Sequence, residues 1–395
     1  MRATRTASIR LNVGDHKDNL LNSMDLYTTA YNYCCSVGFE NKIKNGVLLH
    51  KATYSETRPY LPSQLAISSR MLATESLKSV FTRMKKTGKQ YRCPRSKRVS
   101  IRLDKNSYTL WLNKKEVSIL TCNGRIRLDI TFNKHFEEYL SWKYTSATLS
   151  YKKNKFFLRV QFEKDMEDIP STGKYLGIDR GIKKLAVTSD NRFFLGGETR
   201  RVSQRYQRIR RKLQSAGTVS AKRHLRRVSG KEQRFKADVN HRISKEIISK
   251  LSPGDTIVLE SLSGIRNKRM QKKLRKEVHT WNFYQLEQFL TYKALAKSIY
   301  IEYVDARYTS QRCSKCGNIK RSNRKSQSGF RCGKCGFKLN ADLNAARNIV
   351  LKHLDAKGFL SEIRSSYPDR AEVNQPIVSE KLSSDTSLQA CPVGS

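Results

Sequence analysis

Tyr308-Thr-Ser-Gln-Arg-Cys-Ser-Lys-Cys-Gly317, then Cys332-Gly-Lys-Cys-Gly336, then Asn340-Ala-Asp-Leu-Asn-Ala-Ala-Arg-Asn-Ile349: these stretches decide how the chain is read. Two Cys-x-x-Cys pairs, Cys313/Cys316 and Cys332/Cys335, stand fifteen residues apart. Thiolates at that spacing close a tetrahedral cage around one Zn²⁺, with Gly317 and Gly336 helping each pair onto a tight turn. The spacer is basic, and Ile319 and Phe330 are its large apolar residues, so zinc is expected to hold this ribbon in place of a core. Asp342 follows the last cysteine by seven residues and opens a predicted helix. The pattern sets a structural metal beside an acid able to do chemistry.

Working outward, the chain has 395 residues, room for two or three domains. Its 78 Lys+Arg against 34 Asp+Glu give a formal charge of +44, far beyond what solubility requires. Such a field implies a polyanionic partner, and 9% aromatic residues leave rings available to stack on bases. A ribosomal-type RNA binder would account for the charge equally well, so charge selects the ligand class and leaves the activity open. Cys34, Cys35, Cys93, Cys122 and Cys391 show no pairing rhythm, which fits a reducing compartment. Met1-Arg-Ala-Thr-Arg5 lacks the apolar core of a signal peptide, and no stretch has the length of a membrane span. The expectation is a cytoplasmic, nucleoid-associated protein of a prokaryote that works on nucleic acid.

Periodicity gives the organisation. Ser8–Val13 alternates like a strand. Residues 19–35 and 63–81 carry apolar residues at helical spacing and are expected to pack on each other. Residues 83–98 read as a basic loop. Residues 99–162 turn to strands, with 147–151 and 156–162 as a hairpin, so the helices look inserted into a β-barrel begun by the first strand. Residues 165–174 read as a junction. A second hairpin at 175–178 and 184–188 is followed by residues 200–236, which hold fourteen Lys/Arg and one acid, Glu232. There Tyr206, Ile209, Leu213, Leu225, Val228 and Phe235 keep an apolar rhythm, predicting ordered helices along a phosphate backbone. A buried-type strand at 256–260, a helix at 281–296 and a strand at 299–304 lead into the ribbon. Residues 358–395 read as a mobile tail.

In so basic a chain, an acid ending an apolar strand stands out. Asp179 follows Tyr175-Leu-Gly-Ile178, and Glu260 follows Ile257-Val-Leu259. Each needs a cation or an arginine if buried, and a salt bridge or helix cap would explain any one of them alone. Together with Asp342 they suggest carboxylates bridging two Mg²⁺ ions for phosphodiester hydrolysis. A nuclease and a nucleic-acid-binding protein both remain open at this point. His241 is read as a packing or hydrogen-bonding residue.

The motifs resemble one family from Thr6 to Leu351: TnpB, the RNA-guided nuclease of insertion-sequence transposons, related to the compact type V CRISPR effectors. Gly177-Ile-Asp-Arg-Gly-Ile-Lys-Lys-Leu-Ala-Val187 resembles its first RuvC motif, Val258-Leu-Glu-Ser-Leu262 the second, and Asn340–Ile349 the third. Asn240–Ile248, Tyr308–Gly317 and the basic loop, through Lys86, Gly88, Lys89, Pro94 and Arg95, are similar as well. Departures are Arg180, where an apolar residue commonly stands, Asn340 in place of a frequent aspartate, and Tyr91-Arg-Cys93 in place of Gly-Phe.

The resemblance implies a multidomain α/β plus β-barrel fold. Residues 1–14 and 96–168 would form a wedge β-barrel, and 15–95 a helical recognition insert. Residues 169–307 and 339–357 would form an RNase H-like RuvC nuclease domain, with 308–338 its inserted zinc ribbon. It implies Asp179, Glu260 and Asp342 as catalytic ligands of Mg²⁺. Its partners would be a guide non-coding RNA and target double-stranded DNA, with the protein a monomer or weak dimer on RNA. Lys86, Lys89, Arg95, Arg208, Arg211 and Arg227 are candidates for phosphate contacts. A miniature CRISPR effector, or a guided repressor that does not cut, are the alternatives it leaves.

Overall fold

The computed structural model describes residues 2–131, 134–262 and 283–358, the pair Ile377–Val378, and single positions 269, 271, 275 and 278. They fall into two compact units, Arg2–Asp165 and the chain from Met166 onward.

In the first unit, β1 (Arg2–Asn12) alternates buried and exposed residues along its whole length, the mark of a strand with one face on a core. Three helices follow, α1 (Lys17–Glu40), α2 (Gly46–Thr57) and α3 (Ser63–Thr87). The strands β2 (Ile101–Leu103), β3 (Tyr108–Trp111), β4 (Glu116–Thr121), β5 (Gly124–Thr131), β6 (Lys143–Lys152) and β7 (Lys155–Asp165) complete the unit. They form one antiparallel sheet in the order β2-β6-β7-β1-β5-β4-β3, so the first strand of the chain lies at its centre. Tyr108 of β3 and Tyr144 of β6 bring their rings to 5.8 Å although the strands stand far apart in that order, so the sheet curls back on itself. The β6–β7 hairpin turns on Lys153 and Asn154, both at positive φ, as a two-residue turn with right-handed strand twist demands.

The two long helices pack on each other as expected, with Tyr27 Oη 2.7 Å from Ser68 Oγ and Tyr31 donating to Ser76 Oγ at 3.0 Å. Their apolar faces join Ile9, Leu149, Phe156 and Phe162 of the sheet in one core. The basic loop begins later than the sequence suggests. Helix α3 runs through Arg83 to Thr87 and stops at Gly88, whose φ of +67° gives the left-handed cap glycine adopts freely. Asn32 of α1 then pins the loop, exchanging hydrogen bonds of 2.9 Å with the amide and carbonyl of Ser96.

The second unit is built on β8 (Tyr175–Asp179), β9 (Lys184–Thr188), β10 (Arg192–Leu195), β11 (Thr256–Ser261) and β12 (Tyr300–Asp305), with β13 (Gly329–Arg331) and β14 (Lys338–Asn340) in a separate ribbon. β8 and β9 are the expected hairpin, whereas β11 lies parallel between β8 and β12. A buried parallel strand is apolar without alternation, which is how Thr256–Leu259 reads. The two-residue strand β15 (Ile377–Val378) runs beside β10. The rest of the segment expected to be a tail lies outside the described residues after Gly358.

Helices cover both faces of this sheet. The basic run is indeed helical, as α4 (Gly197–Ala216), α5 (Val219–Val228) and the start of α6 (Lys231–Ser249), with the six rhythmic apolar residues half-buried. α6 and α7 (Phe283–Leu295) pack on the face formed by Leu176, Ile178, Ile257 and Leu259. Trp281, the expected start of α7, lies outside the described residues. The opposite face is covered by α8 (Ala341–Ala356), through Ile349 on Val258 and Val304 and through Leu343 and Ala346 on Val187 and Phe193.

Candidate functional site

Alternation along the strands decides where the acids point. Leu176 and Ile178 face α6 and α7, so Gly177 and Asp179 face α8; in β11, Ile257 and Leu259 face one way and Val258 and Glu260 the other. Leu259 is in register with Ile178, so Asp179 and Glu260 sit side by side at the ends of parallel neighbours. Gly177 lets α8 come close: a Cβ there would lie 2.2 Å from the carbonyl oxygen of Ala346. Asn340 caps α8, its Oδ1 accepting from the amides of Asp342 at 3.0 Å and Leu343 at 3.5 Å, which fixes Asp342 in the first turn.

The three acids are joined by charge. Burial first, then Glu260 and Asp342, push the Asp179 carboxyl up to about 8, while Arg324 and Arg180 oppose the shift. Burial also raises Glu260, against the Thr309 hydroxyl and the charges of Arg180 and Lys352. Asp342 is held by cations, with Lys184 Nζ at 2.8 Å and Arg324 Nη2 at 3.4 Å. Arg180, the departure noted in the sequence, is buried. It pairs with Glu287 of α7 and donates to the backbone carbonyl of Glu260 at 2.6 Å, stitching the ends of β8 and β11 together.

The four cysteines come together as the spacing predicts. Their sulfur atoms all lie within 4.8 Å of one another, with Cys313–Cys335 at 3.7 Å and Cys316–Cys332 at 3.6 Å. Zn–S bonds of about 2.3 Å in a tetrahedron put sulfurs about 3.8 Å apart, so the cage fits Zn²⁺. Asn323, fully buried, ties the two knuckles by donating to the carbonyls of Gln311 and Asn318 and accepting from Gly333 N at 3.0 Å. Two more buried asparagines, Asn344 and Asn348, clamp the ribbon to α8 by donating to the Arg312 carbonyl at 2.8 and 2.6 Å.

Among the described residues the thiols are the group already drawn to metal-sharing distance; the carboxylates are neighbours by charge. The carboxylates nonetheless fit a hard divalent cation. The Asp179 carboxylate receives no hydrogen bond or ion pair among the described residues, and an all-oxygen donor set is what such an ion takes, with Lys184 and Arg324 held on Asp342 at its edge.

Lys86 sits in the last turn of α3, Lys89 and Arg95 in the loop after it, Arg208 and Arg211 on α4, and Arg227 on α5; all six are exposed. His241 stacks on Phe289 with ring centroids 3.8 Å apart, in keeping with a packing role. Lys184, Arg324 and Thr309 were not singled out in the sequence. The offset of Lys184 from Asp179 along a hairpin was the one available signal.

Two family models match the chain in succession, "Probable transposase" over residues 157–263 and "Cas12f1-like, TNB domain" over 283–349. The CRISPR-associated endodeoxyribonuclease Cas12f1 of Sulfoacidibacillus thermotolerans is 33% identical over 227 residues, 52% of each chain. A TnpB-like protein of Methanocaldococcus jannaschii is 32% identical over 166 residues, 41% of this chain and 59% of that one. The chain thus spans about half the length of the curated relatives it matches. A Cas12f1 solved with single-guide RNA and target DNA aligns over 88% of this chain and 98% of its own, with TM-score 0.63 and 15% identity, a likeness of fold. In sequence the chain is thus similar to TnpB-like proteins and to Cas12f1, and in fold to Cas12f1.

Proposed function

We propose that the chain is an RNA-guided DNA endonuclease of an insertion-sequence transposon. The observation that carries this reading is the placement of Asp179 and Glu260 at neighbouring strand ends on the face that α8 covers, with Asp342 in the first turn of that helix, in a chain of net charge +44. Two Mg²⁺ ions held by these carboxylates would activate water and stabilise the leaving oxygen of a phosphodiester. Asp179 and Glu260 supply rigid oxygen ligands from the strand ends, and Asp342 supplies a third from α8. Lys184 and Arg324, which pair with Asp342, bring positive charge to where a phosphate would lie. One Zn²⁺ in the cysteine cage is structural.

In this reading the curled sheet with its helices is the wedge domain and recognition insert, and the second unit is an RNase H-like RuvC domain with an inserted ribbon. A guide non-coding RNA would read the target by base pairing, and the protein would grip the heteroduplex through its backbone. Reconstituted ribonucleoprotein tests the proposal on a plasmid carrying the guide's complement. Asp179→Ala should abolish cutting and leave RNA binding intact; cutting at the parental rate would refute the assignment. The 33% identity to Cas12f1 favours a second reading, a compact CRISPR effector. Sequencing the RNA that co-purifies separates a transposon-end transcript from a repeat-spacer guide.

A further inference from the structure

We propose that Thr309 is a positioning residue for Glu260, fixing the carboxylate in the orientation in which it takes a divalent cation; the inference rests on Glu260 being a metal ligand. Thr309 is 5% and Glu260 9% exposed, and Thr309 Oγ1 donates to Glu260 Oε1 at 2.5 Å. A hydroxyl has one proton to give. Its other acceptor in reach, the carbonyl of Ala306 at 3.1 Å, is neutral and farther, so the carboxylate takes the proton. Among the described residues no other hydrogen bond or ion pair reaches this carboxylate, which leaves Oε2 for a cation.

Thr309 is itself held in place. Its carbonyl accepts from Nδ2 of the fully buried Asn348 at 2.9 Å. The preceding Tyr308 adopts φ +66°, a conformation that a bulky side chain rarely takes. Its carbonyl accepts from the amides of Gln311 at 3.0 Å and Arg312 at 2.9 Å, closing the turn from which Thr309 reaches Glu260. A strained residue beside a buried hydroxyl aimed at an acid is the arrangement of a group that orients a ligand.

The test uses the full chain with Thr309→Val, which keeps the shape and removes the hydroxyl, and Thr309→Ser, which keeps the hydroxyl. Mn²⁺ alone is titrated by electron paramagnetic resonance, and plasmid cleavage by the ribonucleoprotein is followed against Mg²⁺ concentration. The valine variant should bind Mn²⁺ about ten-fold more weakly and need correspondingly more Mg²⁺, with the serine variant close to the parent. Parental Mn²⁺ affinity in the valine variant, or a serine variant as weak as valine, would overturn the proposal. Glu260→Gln is the separate control. Parental Mn²⁺ binding and cutting in that variant would remove Glu260 from the metal site, whatever Thr309 does.

Discussion

Burial beside Glu260 and Asp342 raises the Asp179 carboxyl to about 8, whereas an unfolded chain ionises an aspartate near pH 4. Below about pH 4 the group is protonated in both states and costs nothing. Between there and about 8 the unfolded chain releases a proton that the folded site keeps, so stability falls as pH rises through that window, and the loss is complete above it. Asp179→Asn removes the penalty. Its metal-free thermal midpoint should exceed the parent's by most above pH 8 and by little near pH 4, and added Mg²⁺ should raise the parent's midpoint more than the variant's. Equal midpoints across that range would contradict the coupling. The placement of the three acids at or near the ends of their elements was legible in the sequence, in a chain short of acids. Their partners were not: Lys184 and Arg324 are two of 78 basic residues, and only folding brings them to Asp342.

The elements that present these acids depend on one close approach. A methyl group on Gly177 would strike the backbone oxygen of Ala346 and also Val350 Cγ2 at 2.8 Å, and neither can move without shifting α8 from the sheet. Gly177→Ala should therefore lose about 1–3 kcal/mol in denaturant unfolding and cut poorly; parental stability would show that α8 has slack. The ribbon makes a different demand. Its own apolar content is little more than Phe330 and Phe337 packed among the cysteines, so in the proposed reading a zinc ion would supply the folding energy. Chelation, or Cys332→Ser, should release about one equivalent of zinc and free Arg324 from Asp342, reducing cleavage while the sheet still melts cooperatively; unchanged cleavage without zinc would make the ribbon dispensable. Most elements were readable from their periods. Helix α2 was not, because its Asn45-Gly46 start reads as a turn and few of its apolar positions are buried. The end of α3 was missed because Lys85-Lys86-Thr87 has no apolar rhythm, and Gly88 alone sets the stop.

At the scale of the whole molecule, charge governs behaviour: +44 over 395 residues. Every phosphate neutralised releases counterions, so RNA affinity should fall steeply with salt. Replacing Arg208, Arg211 or Arg227 singly by alanine should lower the slope of log affinity against log salt by about 0.7–0.9 where the residue touches a phosphate. A slope unchanged in all three variants would place the RNA elsewhere. Mutation of Lys86, Lys89 and Arg95 asks the same of the first unit. One detail of the ribbon reaches furthest. The spacer between the knuckles leaves and re-enters at the cage, where Cys316 and Cys332 are 3.6 Å apart, and α8 grips the chain just before the first knuckle. Yet the spacer is tied down along its length: Asn323 joins the knuckles, Arg324 reaches Asp342 and Phe330 is buried, so its exposed residues 320–322 are the ones left with room to vary. The ribbon is therefore part keystone and part roof tile: residues 320–322 can be exchanged at little cost, whereas a change at Asn323 or Arg324 would be felt at Asp342.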